Sequence, residues 1–124
     1  QGKIEIKVTP LSHKKKFSSH EQLMHHEGNL IMKELKETDF FYCFDKEGEK
    51  FSSEKFSKLI FSENKAINLI IGGAFGISTD VKIKAKRIIS FSDMEFSHEI
   101  FRLMLLEQIY RAMCIFTNHP YHQN

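Results

Sequence analysis

The run Ala66 to Ile71, AINLII, carries no charge and leads the chain straight into Gly72, Gly73 and Gly76. No other feature of the sequence restricts the fold as tightly. A strand alternating polar and apolar residues covers one face of a sheet. An uninterrupted apolar run instead suits a strand buried on both faces of a parallel sheet, rather than an edge strand. Glycines directly after such a strand belong where backbone turns sharply or approaches a ligand with no Cβ in the way. A nucleotide-like cofactor suits that position. The G-x-G-x-x-G spacing of a dinucleotide site and the Lys-Ser/Thr of a P-loop are absent, however, and a structural turn accounts for the glycines equally well.

The flanking segments are those of an α/β chain. Lys3 to Val8 places Ile4, Ile6 and Val8 on one face of a half-buried strand, closed by Pro10. Leu23, Met24, Leu30, Ile31 and Leu35 recur at near-helical spacing from Ser18 or Ser19 to about Lys36, with Gly28 as the weak point. Phe40 to Phe44 reads as a buried strand and Asp45 to Gly48 as a turn, after which Ser52 or Ser53 caps a helix reaching Phe61. Beyond the glycines, Ser78 caps a basic helix running to about Arg87, with Asp80 in its first turn, and Ile88 to Phe91 forms a short strand. This alternation predicts one domain over 1–124, with a mainly parallel sheet, helices on both faces and ligands at the carboxyl ends of the strands.

Ser97 caps a last helix running to about Phe116. At about 100° per residue, Arg102 and Arg111 fall on nearly opposite sides of it. Ile100, Phe101, Met104, Leu105, Ile109, Tyr110, Met113 and Phe116 cover most of the remaining circumference. One sheet face cannot bury all of them. Either a second copy of the chain meets the other side through a two-fold contact, or another part of the same chain does.

Two further segments carry chemistry. Phe91, Ser92, Asp93, Met94, Glu95 and Phe96 offer rings, a hydroxyl and two carboxylates, a wall for an adenine and a cationic sulfonium or an ordinary capped loop. Asn118 to His122, NHPYH, is a tail stiffened by Pro120 that can stack on a base or contact phosphate. His119 and His122 lack the cysteine or carboxylate neighbours of a zinc set, so no metal is expected, and His20, His25 and His26 read as a polar helix face. Net charge is only +2, but Lys14 to Lys16 and Lys82, Lys84, Lys86 and Arg87 cluster. The clusters permit a polyanionic partner, and solvated surface lysines explain them equally. Cys43 and Cys114 lie in apolar runs and read as small buried hydrophobes rather than a disulfide pair. No apolar run reaches the roughly 18–20 residues of a membrane helix, and the first residues carry no secretory pattern, so a cytoplasmic protein is expected.

Taken in order, IIGGAFGI, SFSDMEFSHEIFR, LEQIYRA and TNHPYH resemble the ribosomal RNA large subunit methyltransferase H family. The resemblance is strong from Leu69 to His122 and looser from Glu27 to Gly48, through EGNLIMKEL and FDKEG. It implies a SPOUT-class enzyme with a deep trefoil knot in the C-terminal half, which cradles S-adenosylmethionine. It also implies a homodimer that methylates N3 of a pseudouridine in a stem-loop of large-subunit (23S-type) ribosomal RNA on the ribosome. The cofactor contacts it implies fall on Phe44, on Gly72 with Gly73, and on Phe91, Ser92, Asp93, Met94, Glu95 and Phe96.

Arg111, Tyr121 and His122 are the candidate catalytic residues, His122 to accept the proton and Arg111 to orient phosphate or base. A salt bridge and an anchored tail explain the same residues. RNA recognition is expected across the dimer interface, helped by Lys82, Lys84, Lys86 and Arg87. Ala74, Phe75, Ser97 and Gln123 depart from the family pattern, and the chain starts at what resembles the family's second strand, so its first strand and helix are expected to be missing. Two rivals stand beside this reading: a non-catalytic homodimeric RNA-binding protein of the same fold, and a nucleotide-binding oxidoreductase, which would need a ribose-binding acid and a glycine spacing the chain lacks.

Overall fold

The computed structural model describes residues 6, 7, 9–11, 16–37, 39–63, 65–73 and 76–123. In chain order the elements are α1 (His20–Glu34), β1 (Phe41–Lys50), α2 (Ser53–Phe61), β2 (Asn68–Ile71), α3 (Thr79–Lys84), β3 (Arg87–Ser90) and α4 (His98–Phe116). Three strands form one parallel sheet in the order β2-β1-β3. The expected strand over Lys3 to Val8 lies outside the described residues except for Ile6 and Lys7, and neither of these sits in a strand.

Local capping decides where three of the helices begin. The side chains of Ser19, Ser52 and Ser97 accept hydrogen bonds from the backbone N–H groups of Gln22, Lys55 and Ile100, which the first turn would otherwise leave unpaired. Ser78 occupies the cap of α3 without making that bond. Its hydroxyl instead lies against α1, where a Cβ on Gly28 would come within 2.8 Å of Ser78 Oγ and 3.1 Å of Val81 Cγ2. Gly28 therefore permits the close approach of α1 to α3, which a side chain there would block.

Phe41 to Phe44 are all buried, and alternation sends them to opposite faces. Phe41 and Cys43 pack with Ile31 of α1, with Ile77 just before α3, and with Val81 of α3. Tyr42 and Phe44 pack with Phe56 of α2, Ile89, and Leu105, Ile109 and Ala112 of α4. Helices thus cover both faces, as the element order requires. α2 and α4 run parallel in fixed register. Ser53 Oγ donates to Gln108 Oε1 (2.7 Å), buried Ser57 Oγ donates to the Ala112 carbonyl (2.7 Å), and Phe61 stacks on Phe116 with ring centroids 4.1 Å apart. Both cysteines are buried and free, and burial pushes the Cys43 thiol up to about 12.

Three expectations need correcting. β2 is the edge of the sheet among the described residues, and it is half-buried rather than enclosed. An apolar run reports what lies above and below a strand but says nothing of what lies beside it, and the outer edge of β2 opens onto a cavity. β1 does not end at Phe44. It passes through Asp45 to Gly48 with a register shift and rejoins β3 at Glu49 and Lys50, because the ladder reforms once the bulge has been passed. Finally, α3 stops at Lys84, since Arg87 is taken into β3.

Candidate functional site

Phe44 pairs with Ile71 on one side and Ile89 on the other, so the chain leaves β2 at Gly72 and β3 at Phe91 on either side of the point where β1 bulges at Asp45. Open parallel sheets bind ligands at such strand ends. Gly72 is forced by crowding. A Cβ there would come within 2.7 Å of both the Gly76 carbonyl carbon and Ile77 Cγ1. The loop closes through the Gly76 N–H donating to the Gly73 carbonyl (3.1 Å), with Gly76 at φ 87°. His98, in the first turn of α4, places Nδ1 3.0 Å from the Gly72 carbonyl. A carbonyl only accepts, so Nδ1 carries the proton in that contact. Under the loop, Lys82 and Asp45 form a half-buried ion pair at 3.6 Å.

A cavity of about 890 Å³ starts at this loop and runs along β2. Gly72, Gly73, Ile77 and His98 line its upper end, with Glu27 and Ile31 of α1 on one wall and Leu105 and Ile109 of α4 on the other. The remaining expected cofactor residues are not on its lining. The rings of Phe44 and Phe91 are 5.3 Å apart, inside an aromatic cluster with Phe56 and Phe101. Ser92 to Phe96 form the loop from β3 to α4. Ser90 Oγ donates to the Ser92 carbonyl (3.0 Å), and the Met94 N–H donates to Ser92 Oγ (3.0 Å). Asp93 and Glu95 are ion-paired with Lys50 (2.6 Å) and Lys46 (3.6 Å) on the second half of β1. β1's extension past Phe44 thus carries the two lysines that pair with this loop.

The three candidate catalytic residues come together in a second cluster. One oxygen of Glu107, Oε2, accepts from Arg111 Nη2 (2.8 Å), Arg111 Nε (3.2 Å) and the Tyr121 hydroxyl (2.8 Å). Arg111 also lies over the Tyr121 ring, 5.0 Å from its centroid, and its Nη1 is 3.0 Å from His122 Nδ1. His122 Nε2 is 2.7 Å from Glu54 Oε2 at the start of α2. The Arg111 guanidinium holds the Glu107 carboxyl below the usual range, with Tyr121 adding to it. The hydrogen bond from His122 does the same for Glu54. The Glu107 hydrogen bond in turn raises the Tyr121 phenol.

Glu54 and Glu107 were not among the candidates. Glu107 stands four residues before Arg111 on a helix, a spacing that marks an ion pair. Nothing local connects Glu54 with His122. Of the basic residues expected to help with RNA, Lys82 is engaged by Asp45, Lys86 by Glu63 (2.9 Å), and Arg87 by Glu49 (3.2 Å). Among the described residues no group of three His, Cys, Asp or Glu side chains could hold a metal ion, and no helix is long and apolar enough to cross a membrane.

The sequence pattern of a family described as "predicted SPOUT methyltransferase" matches residues 1–122. A protein named ribosomal RNA large subunit methyltransferase H, from Dictyoglomus thermophilum, is 44% identical over 123 residues, covering 96% of this chain and 80% of that protein. A protein of the same name from Clostridium botulinum (strain Hall) is 45% identical over 101 residues, covering 78% of this chain and 64% of its relative. The chain thus spans four-fifths of the first relative's length and just under two-thirds of the second's.

Proposed function

The chain belongs to the SPOUT methyltransferase family, and from that premise we propose that it transfers a methyl group from S-adenosylmethionine to N3 of a pseudouridine in large-subunit ribosomal RNA, working as a homodimer. One observation carries the dimeric part. The glycine loop is fastened to α4 at His98, whereas the tail cluster is built on Arg111 of the same helix. Those positions are thirteen residues apart, about 20 Å along the axis and about 140° around it. A transfer needs its reacting atoms within about 3–3.5 Å of one another. If loop and tail serve one reaction, the tail comes from a second copy.

α4 has a surface on which that copy can sit. Ile100, Leu103 and Tyr110 share one side of the helix and are 50%, 65% and 45% exposed. A two-fold contact along such a stripe is self-complementary. It also accounts for the all-round apolar character of α4, whose other side, through Leu105, Ile109 and Ala112, is buried against the sheet.

The chemistry of the glycine loop supports this reading of the cofactor. Gly72 and Gly73 present bare backbone to a cavity of nucleoside-holding size, while Asp93 and Glu95, which lie off its lining and are ion-paired with Lys50 and Lys46, would have to leave those lysines to face a sulfonium. When bound, the cofactor supplies an electrophilic methyl. Gly72, Gly73 and the stretch from Phe91 to Phe96 are the residues proposed to hold it, with the Phe44 ring supporting that stretch from beneath; the family's trefoil knot, which would run through these segments, belongs to the same reading. Arg111 and Tyr121 are proposed to meet the RNA and His122 to take the N3 proton. A fixed cation beside the imide anion left at N3 contributes roughly 2.7–4 kcal/mol to such a step.

Labelled S-adenosylmethionine, incubated with the chain and large-subunit RNA, tests the reading. Label is expected at a pseudouridine and absent where uridine replaces it. Incorporation elsewhere, or none at all, refutes the assignment. RNA binding without transfer would favour the non-catalytic alternative.

A further inference from the structure

We propose that Glu54 is a positioning residue for the transfer above, on which this inference rests: it fixes His122 as the neutral Nε2–H tautomer, leaving Nδ1, once Arg111 moves off it, as the atom that takes the proton.

The tautomer follows from donor chemistry. A guanidinium has only donors, so the 3.0 Å contact between Arg111 Nη1 and His122 Nδ1 requires Nδ1 to carry a lone pair. In the neutral ring the hydrogen is then on Nε2, which lies 2.7 Å from Glu54 Oε2 and donates to it. The hydrogen bond from His122 is the first reason that the Glu54 carboxyl titrates below the usual range. A carboxylate behind one imidazole nitrogen orients the ring and stabilises the imidazolium formed when the other nitrogen accepts a proton. The charged and titratable groups facing His122 are Arg111 and Glu107 from α4, Glu54 from α2 and Tyr121 from the tail.

Arg111 supplies the gate. Its Nε and Nη2 are held by Glu107, which leaves Nη1 as the donor covering Nδ1. While that contact lasts, the basic lone pair is occupied and His122 cannot accept a proton. An RNA phosphate is a stronger partner for a guanidinium than a neutral imidazole. Its docking draws Nη1 away and uncovers Nδ1. The N3–H bond then breaks toward Nδ1, the electron pair left on N3 would form the new N–C bond as the methyl's bond to the cofactor sulfur breaks with its pair going to that sulfur, and the imidazolium held by Glu54 later releases its proton to water. A substrate that does not engage Arg111 leaves the base covered.

The test uses the full chain with ¹⁵N-labelled histidine, with His122 assigned among the seven histidines by its loss in His122→Gln. Long-range ¹H–¹⁵N spectra at neutral pH are expected to place the His122 proton on Nε2 in the parent and to show mixed tautomers in Glu54→Gln. In methyl transfer, Glu54→Gln is expected to lower kcat at least about ten-fold with an unchanged KM for RNA, and Glu54→Asp to restore most of the loss. A His122 proton on Nδ1 in the parent overturns the proposal. So does a Glu54→Gln chain that keeps its kcat, or one that changes only KM or melting temperature, as a purely structural contact would. A parent chain that methylates no RNA sinks the proposed function, and the spectrum still decides the tautomer.

Discussion

Replacing Gly72 with Ala adds one methyl group at the point where the glycine loop leaves β2. Gly72 does not occupy the left-handed region, so alanine can adopt its backbone angles, and the cost is steric alone. The new Cβ would lie 2.7 Å from the Gly76 carbonyl carbon and Ile77 Cγ1 and 2.9 Å from the Gly76 oxygen, where ordinary contact begins near 3.4 Å. Two of these three are backbone atoms, so the loop has to move by about 0.7 Å rather than a side chain turning aside. Overpacking of this kind costs about 1–3 kcal/mol. Alanine recovers about 0.4–1 kcal/mol by restricting the unfolded chain, leaving a net loss of about 0–2.6 kcal/mol. For a domain of this length that is a fall of up to about 10 °C in melting temperature. The same shift pulls the Gly72 carbonyl away from His98 and distorts the cavity mouth, so affinity for S-adenosylhomocysteine should fall at least about ten-fold, which is about 1.4 kcal/mol. Thermal denaturation and isothermal calorimetry read the two effects. A Gly72→Ala chain that melts with the parent and binds equally well refutes the assignment of this loop to the cofactor. Gly76→Ala is a useful contrast, because the nearest atom to its Cβ is 3.7 Å away and its cost is the φ of 87° instead.

Other expectations follow from the same contacts. Leu103→Glu places a charge on the exposed side of α4, and sedimentation should find the parent dimeric and this variant monomeric; a monomeric parent contradicts the interface. The tail is held by carboxyls with lowered values in the folded chain, so its contribution is present above the usual glutamate value of 4.5 and is lost as pH falls through the lower folded values of Glu54 and Glu107. Amides from Asn118 to Gln123 should lose hydrogen-exchange protection in that acid window while those of β1 keep theirs, and simultaneous loss would show that the tail is not a separate unit. Cys43 and Cys114 should resist thiol reagents at pH 8 until denaturant is added, because both are buried and the Cys43 thiol is pushed up to about 12.

Much of this architecture can be read locally. Serine caps at positions 19, 52 and 97, the uncharged run before Gly72 and the helical spacing of α1 and α4 each depend on neighbours a few residues away, and each appears in the structure close to where the sequence implies it. Lateral relations could not be read in the same way. The uncharged faces of β2 say that helices cover it, not that its outer edge is open, and the rejoining of β1 at Glu49 depends on β3, forty residues further on. The candidate site divides along the same line. Glycines after a strand announce a sharp turn, and Arg111, Tyr121 and His122 could be named from the last helix and the tail motif. What holds them could not: Glu54 is 68 residues from His122, and only the parallel packing of α2 on α4 brings the two within 2.7 Å. Gly28 shows the converse. Read alone it is a defect in a helix, whereas against Ser78 and Val81 it is a fitted contact.

The central claim is that the glycine loop of one chain works with the tail of another. Mixing two defective chains tests it most directly, one carrying Gly72→Ala with its loop impaired and the other carrying Arg111→Ala with its tail impaired. After the subunits have exchanged, half of the dimers are mixed, and each mixed dimer contains one site with both parts intact, so methyl transfer should recover to about a quarter of the parent level. If mixing restores nothing beyond the sum of the two defective chains, loop and tail act within a single copy and the account is wrong.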